Sequence, residues 1–151
     1  MEAKCFHKIL RYLFKYDFEI LRSTILDAMS DNGFFAYCFY KGGAQSYWLK
    51  EDDRQDDYFP DVCSIVQSED IKEISNKELE NVAYDLVIIS TDRLRKILNM
   101  NEKIYSHKII MESDESEELS NIAKSLGMDT YEILDGLIIN GQVKKIVLFQ
   151  E

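Results

Sequence analysis

The stretch KEDDRQDDYFPD, residues 50–61, places six carboxylates and two cations in twelve positions and holds the chain's single proline. Hard oxygens such as those of Asp52, Asp53, Asp56 and Asp57 suit calcium or magnesium. A calcium loop, however, spaces its ligands at alternate positions around a central glycine. Here the acids come in pairs with Arg54 between them and no glycine, so no metal is expected at this stretch. Zinc is served no better. The only histidines are His7 and His107, and Cys5-x-His7 falls on a predicted helix, where residues two apart face different ways.

A contact surface is the stronger reading. Tyr47 and Trp48 precede the acids, and Tyr58 and Phe59 follow them directly. Aromatic anchors inside a ring of charge are what interface centres use. Paired carboxylates also receive lysine and arginine, the latter in two-pronged fashion. Trp48, Asp52, Asp53, Asp56, Asp57, Tyr58, Phe59 and Asp61 are therefore the expected partner-binding residues. The competing interpretation is a solvated loop, acidic for solubility alone.

The chain offers other candidate chemistries. Pro60-Asp61 followed by Asp70-x-Lys72 resembles the proline-aspartate, acid-x-lysine signature of metal-dependent nucleases. That resemblance implies two acids holding magnesium and a lysine helping to activate water. No G-x-S-x-G nucleophile elbow is present. No glycine-rich phosphate loop follows a predicted strand either: after DLVIIS comes Thr91-Asp92, and an acid there opposes a phosphate. EELSNIAKSLGMDTYEILDGL resembles a helix-turn-helix, and NGQVKKIVLF would supply a wing, a winged-helix resemblance over residues 117–149. Its second helix would carry Asp129, Glu132 and Asp135 and no Lys or Arg, which disfavours contact with DNA phosphates.

These residues need elements to position them. The 151 residues are 46% hydrophobic and 30% charged, enough for one domain with a sizeable core. Apolar positions from Phe6 to Met29 recur at three and four, predicting helix over 2–29, either continuous or bent near Tyr16-Asp17 and stopped by Asp31-Asn32-Gly33. FFAYCFY, Gly42-Gly43 and AQSYWL predict a β-hairpin. VCSIVQ reads as a short strand. A capping box at Ser75-x-x-Glu78 opens a helix over 76–83. YDLVIIS, TDRLRKILNM, HKIIME and SDESEELSNIAKSLG then alternate strand and helix, and Asn140-Gly141 turns a closing hairpin. The expected fold is a single domain over 1–151, α+β or α/β: a long N-terminal helix or helical hairpin, a β-hairpin, then alternating strands and helices.

Net charge is −10, but residues 1–49 carry +1 and residues 50–151 carry −11. Such a field repels nucleic acid and anionic membrane and attracts basic proteins. Three widely spaced cysteines, Cys5, Cys38 and Cys63, argue for buried thiols in a reducing, cytoplasmic compartment. The N-terminal segment has no secretory pattern, and no apolar run is long enough to span a membrane.

These observations point to a non-enzymatic binding protein of immunity or inhibitor type, neutralising a basic partner such as a nuclease toxin. No cofactor, metal, direct nucleic-acid contact or membrane contact is expected. The first helix can serve a homodimer as readily as a core. A winged-helix regulator is the alternative, and a divalent-metal hydrolase a further one.

Overall fold

The computed structural model describes residues 2–30, 32–50, 70–114, 118–139 and 142–151. Its elements in chain order are α1 (Glu2–Lys15), β1 (Thr24–Ala28), α2 (Phe34–Lys41), β2 (Gln45–Leu49), β3 (Ile71–Ile74), a 3-10 segment (Asn76–Asn81), β4 (Ala83–Ser90), α3 (Thr91–Asn99), β5 (Tyr105–Asp114), α4 (Leu119–Leu126), β6 (Thr130–Ile139) and β7 (Gln142–Gln150). The strands form one seven-stranded sheet in the order β3-β2-β1-β4-β5-β7-β6. The first five run parallel, and β7 inserts antiparallel between β5 and β6.

Each face of the sheet is covered, which is why the centre of β4, Leu86–Ile89, is an unbroken apolar run. Leu86 and Ile88 pack with Ile9 and Leu13 of α1 and Phe35 and Phe39 of α2. Val87 and Ile89 pack on the other side with Leu79, with Leu94 and Ile97 of α3, and with Ala123 of α4. A parallel sheet needs this double cover, because each crossover lays a helix on a face. The result is a single-domain α/β protein, with alternating segments and a closing hairpin as expected.

The first third departs from expectation. Helix α1 stops at Lys15, where Asp17 takes a left-handed conformation (φ 56°) and the Phe18 amide turns back to the Leu13 carbonyl. Residues 24–28, placed on the helix by spacing alone, are β1. FFAYCFY is α2, so the expected hairpin is a β-α-β crossover joining parallel strands β1 and β2. The helix expected across 113–127 is confined to Leu119–Leu126, and β5 runs on to Asp114. The second helix of the winged-helix reading does not exist: those residues are β6, paired with β7. That corrects the regulator alternative.

Helix α1 flanks the open edge at β6 over residues 132–136. Tyr12 donates its hydroxyl to the Leu134 carbonyl, Lys8 Nζ reaches the Gly136 carbonyl at 3.0 Å, and Tyr16 donates to Glu132 at 2.8 Å. An unpaired strand edge is a template for aggregation, and covering it is a recognised remedy. No helix among the described residues is long and apolar enough to cross a membrane.

Candidate functional site

In an open α/β sheet, ligands sit beyond the carboxyl ends of the strands where the strand order reverses. Here that point lies between β1, whose crossover leads outward to β2, and β4, whose crossover leads the other way to β5. The residues delivered to it are the β1–α2 loop and the start of α3.

Asp27, at the end of β1 and fully buried, organises the loop. Its Oδ1 accepts the amides of Met29 (3.0 Å) and Ser30 (2.9 Å). Its Oδ2 accepts the Ala36 amide (2.9 Å) and the Ser30 hydroxyl. Buried Asn32 accepts the Phe34 amide at 3.1 Å, and Gly33 supplies the left-handed turn (φ 76°) into α2. A side chain at that φ is strained, so glycine fits there. From below, the Trp48 indole donates to the Ser30 carbonyl at 3.1 Å.

The opposite wall comes from β4 and α3. Ala28 pairs with Ile89, so Ser90 falls one step beyond, at the level of Met29. Ser90 caps α3 through the Arg93 amide, and the Thr91 hydroxyl donates to the Glu112 carbonyl at 2.6 Å. Arg93, only 6% exposed, extends its guanidinium to the Leu49 carbonyl at 3.0 Å and so ties the ends of β2 and β4 together.

Burial pushes the Asp27 carboxyl above the usual carboxylate range, against the opposing pull of the Ser30, Ala36 and Met29 donors. A raised native pKa means that the folded chain keeps a proton the unfolded chain has released. This contribution to stability is fully present below the unfolded pKa and is lost as pH rises through the folded one. Asp27→Asn removes the titration. The stability of the wild-type chain relative to Asp27→Asn should therefore fall as pH rises from the unfolded carboxylate range. Urea titrations at successive pH values check this, and a constant difference would reject it.

The residues expected to bind a partner fare differently. Trp48 is 1% exposed and is no surface anchor; it packs with Ala36 and Ile71. Asp52, Asp53, Asp56, Asp57, Tyr58, Phe59 and Asp61 lie outside the described residues, as do Pro60, Cys63 and the strand expected over 62–67. Asp70 immediately precedes β3 and accepts the Tyr40 hydroxyl at 2.9 Å, while Lys72 on that strand lies over the Tyr47 ring. Neither belongs to the crevice between β1 and β4. Cys5 is buried and Cys38 half-buried. Of the loop built on Asp27, Asn32 and Gly33, the helix predicted over 2–29 hides Asp27, and Asn32 and Gly33 read only as its stop. The signal that could have found it is β-branched Thr24-Ile25 leading to an acid, small residues and Gly33.

No protein-family model matches the chain, and no curated protein sequence matches it. Solved structures do. The chain superposes over its full length on a proposed RNA methyltransferase from Pyrococcus horikoshii, with TM-score 0.71, 12% identity and 86% of that chain covered. It matches the magnesium protoporphyrin IX methyltransferase of Synechocystis PCC 6803, solved with bound SAM, over 99% of this chain and 80% of that one (TM-score 0.68, 11% identity). The precorrin-6y C5,15-methyltransferase of Geobacter metallireducens aligns with 87% of this chain and 82% of its own (TM-score 0.62, 9% identity). The chain thus resembles the Rossmann-like fold of methyltransferases. These neighbours overturn the reading of a non-enzymatic immunity or toxin-neutralising inhibitor: they are consistently named as methyltransferases, and their architecture is one that carries catalysis.

Proposed function

We propose that the chain is a methyltransferase that uses S-adenosylmethionine, bound in the crevice between the β1–α2 loop and the start of α3. The observation that carries this reading, beyond the fold, is how the rim amides are satisfied. Binding a dinucleotide at such a loop uses free amides at the helix N-terminus to hold a pyrophosphate. Here the amides of Met29, Ser30, Phe34 and Ala36 are taken by side-chain oxygens of Asp27 and Asn32. A phosphate would compete with a buried acid for them. A nucleoside bearing a cationic sulfonium and no phosphate meets no such conflict, so the donor set fits the cofactor.

Backbone groups of Ala28, Asn32 and Gly33 and the Met29 carbonyl would hold it, on a loop fixed by Asp27 from within and by Trp48 through the Ser30 carbonyl. S-adenosylmethionine supplies an electrophilic methyl group. Asp27 keeps the loop in one geometry, so little ordering entropy remains to be lost on binding. Trp48, buried with Ala36 and Ile71, packs beneath the loop. Net charge of −10 disfavours a polyanionic acceptor and favours a neutral or cationic one. The wide spacing of Cys5, Cys38 and Cys63 accords with a cytoplasmic location.

Calorimetry and thermal unfolding with S-adenosylhomocysteine test the reading. At a hundredfold excess over its dissociation constant the ligand should add about 2.7 kcal/mol of stability, while NAD and ATP should add nothing. Stabilisation by NAD or ATP, with none from S-adenosylmethionine or S-adenosylhomocysteine, would sink it.

A further inference from the structure

The crevice has a third side, and α1 supplies it. Three contacts step along α1 against β6: Tyr16 with Glu132, Tyr12 with the Leu134 carbonyl and Lys8 with the Gly136 carbonyl. Four helical residues rise about 6 Å and two strand residues about 6.6 Å, so the steps match and α1 runs antiparallel to β6. Gly136 pairs with Lys145 and Lys145 with Ser113, one residue past Glu112, which itself pairs with Ser90. The amino-terminal half of α1 therefore reaches the level of Ser90.

Phe6 lies in that half. Its ring meets Phe34 edge-on at 6.0 Å and stacks on Phe35 at 5.5 Å, so α1 abuts the first turn of α2, where the β1–α2 loop ends. Phe6, Phe34 and Met29 are half-buried, whereas Ile9, Phe35 and Ile88 of the same cluster are closed off from water. The amides of Met29 and Phe34 are already taken by Asp27 and Asn32, so these two residues have apolar side chains, not donors, to offer. The α3 wall is polar by contrast, with Thr91 and Arg93 engaged by the Glu112 and Leu49 carbonyls.

We propose that Met29, Phe34 and Phe6 form the lip on which the methyl acceptor rests, and that this acceptor is an uncharged molecule with a flat aromatic body. The inference rests on the methyl-transfer reading and names its substrate class. Half-buried phenyl rings offer a face or an edge to a further ring, and a methionine sulfur packs well against one. None of the three side chains carries a charge to balance one on the acceptor, and the net charge of −10 disfavours an anion.

Benzyl alcohol, cyclohexylmethanol and benzoate, alike in size, separate aromatic character from charge. In amide NMR of the full chain with S-adenosylhomocysteine bound, benzyl alcohol should shift resonances of residues 5–7, 29 and 33–36 and leave 94–104 unmoved. Cyclohexylmethanol and benzoate should bind about two- to tenfold more weakly, the loss expected for one aromatic pair. Phe34→Leu stays apolar and keeps the backbone contact with Asn32. It should weaken benzyl alcohol to the level of cyclohexylmethanol while unfolding at close to the wild-type temperature. Absence of shifts at these residues, equal binding of the three probes, or unchanged affinity in Phe34→Leu would overturn the proposal. S-adenosylhomocysteine is titrated alone first and read at residues 28–33. Its failure to bind, with benzyl alcohol still shifting the lip, would sink the cofactor reading and the acceptor role while leaving an aromatic site.

Discussion

Replacing Asp27 by alanine should cost about 3 kcal/mol or more and abolish S-adenosylhomocysteine binding together. The amides of Met29, Ser30 and Ala36 lose their acceptor, and an orphaned buried donor costs about 1–3 kcal/mol. Even the lower figure for each is a large share of the roughly 5–15 kcal/mol that stabilises an ordinary domain. The binding loss follows from the same geometry, because Asp27 holds three amides of the loop and of the start of α2 at once. Urea unfolding measures the first effect and calorimetry the second. Glu80→Ala, on the exposed side of the 3-10 segment, serves as the control and should stay within about 0.5 kcal/mol. Equal stability of the Asp27 and Glu80 variants would show that the buried acid does not hold the loop.

The second large effect concerns the chain's only tryptophan. Trp48→Ala should destabilise by about 3–5 kcal/mol, as removal of a large aromatic from a packed core does. Trp48→Phe keeps most of the volume but leaves the Ser30 carbonyl without its donor, and should cost about 1–3 kcal/mol. The same burial should make native fluorescence blue-shifted and shielded from iodide. A surface tryptophan would be quenched freely and tolerate both substitutions, so ready quenching would return Trp48 to the exterior.

What could be read in the sequence was the half of the sheet whose signals are local and strong. Leu86–Ile89 is an unbroken apolar run because β4 is covered on both faces, and TDRLRKILNM follows it as α3. The Asn140-Gly141 pair announced the hairpin of β6 and β7. The amino-terminal third was misread because Phe18, Leu21, Ile25 and Met29 keep helical spacing across a turn that Asp17 and Arg22 make in left-handed conformations. FFAYCFY carries strand-forming aromatics, yet burial of Phe35, Ala36 and Phe39 on one helical face decided its structure, as tertiary packing overrides propensity. Around Ile133 the register shift of a β-bulge breaks the alternation by which a strand is recognised; Tyr131 and Ile133 are 44% and 48% exposed. The site was lost with β1. An acid at position 27 has meaning only at the end of a strand, beside another strand sixty residues away.

The contacts of Lys8, Tyr12 and Tyr16 with residues 132–136 also bear on how the chain is assembled in time. These partners stand more than a hundred positions apart, so during translation the amphipathic first helix emerges long before anything can seat its outer flank. Docking of that flank is necessarily among the last steps, and the ribosome must deliver β6 before the sheet's free border is shielded.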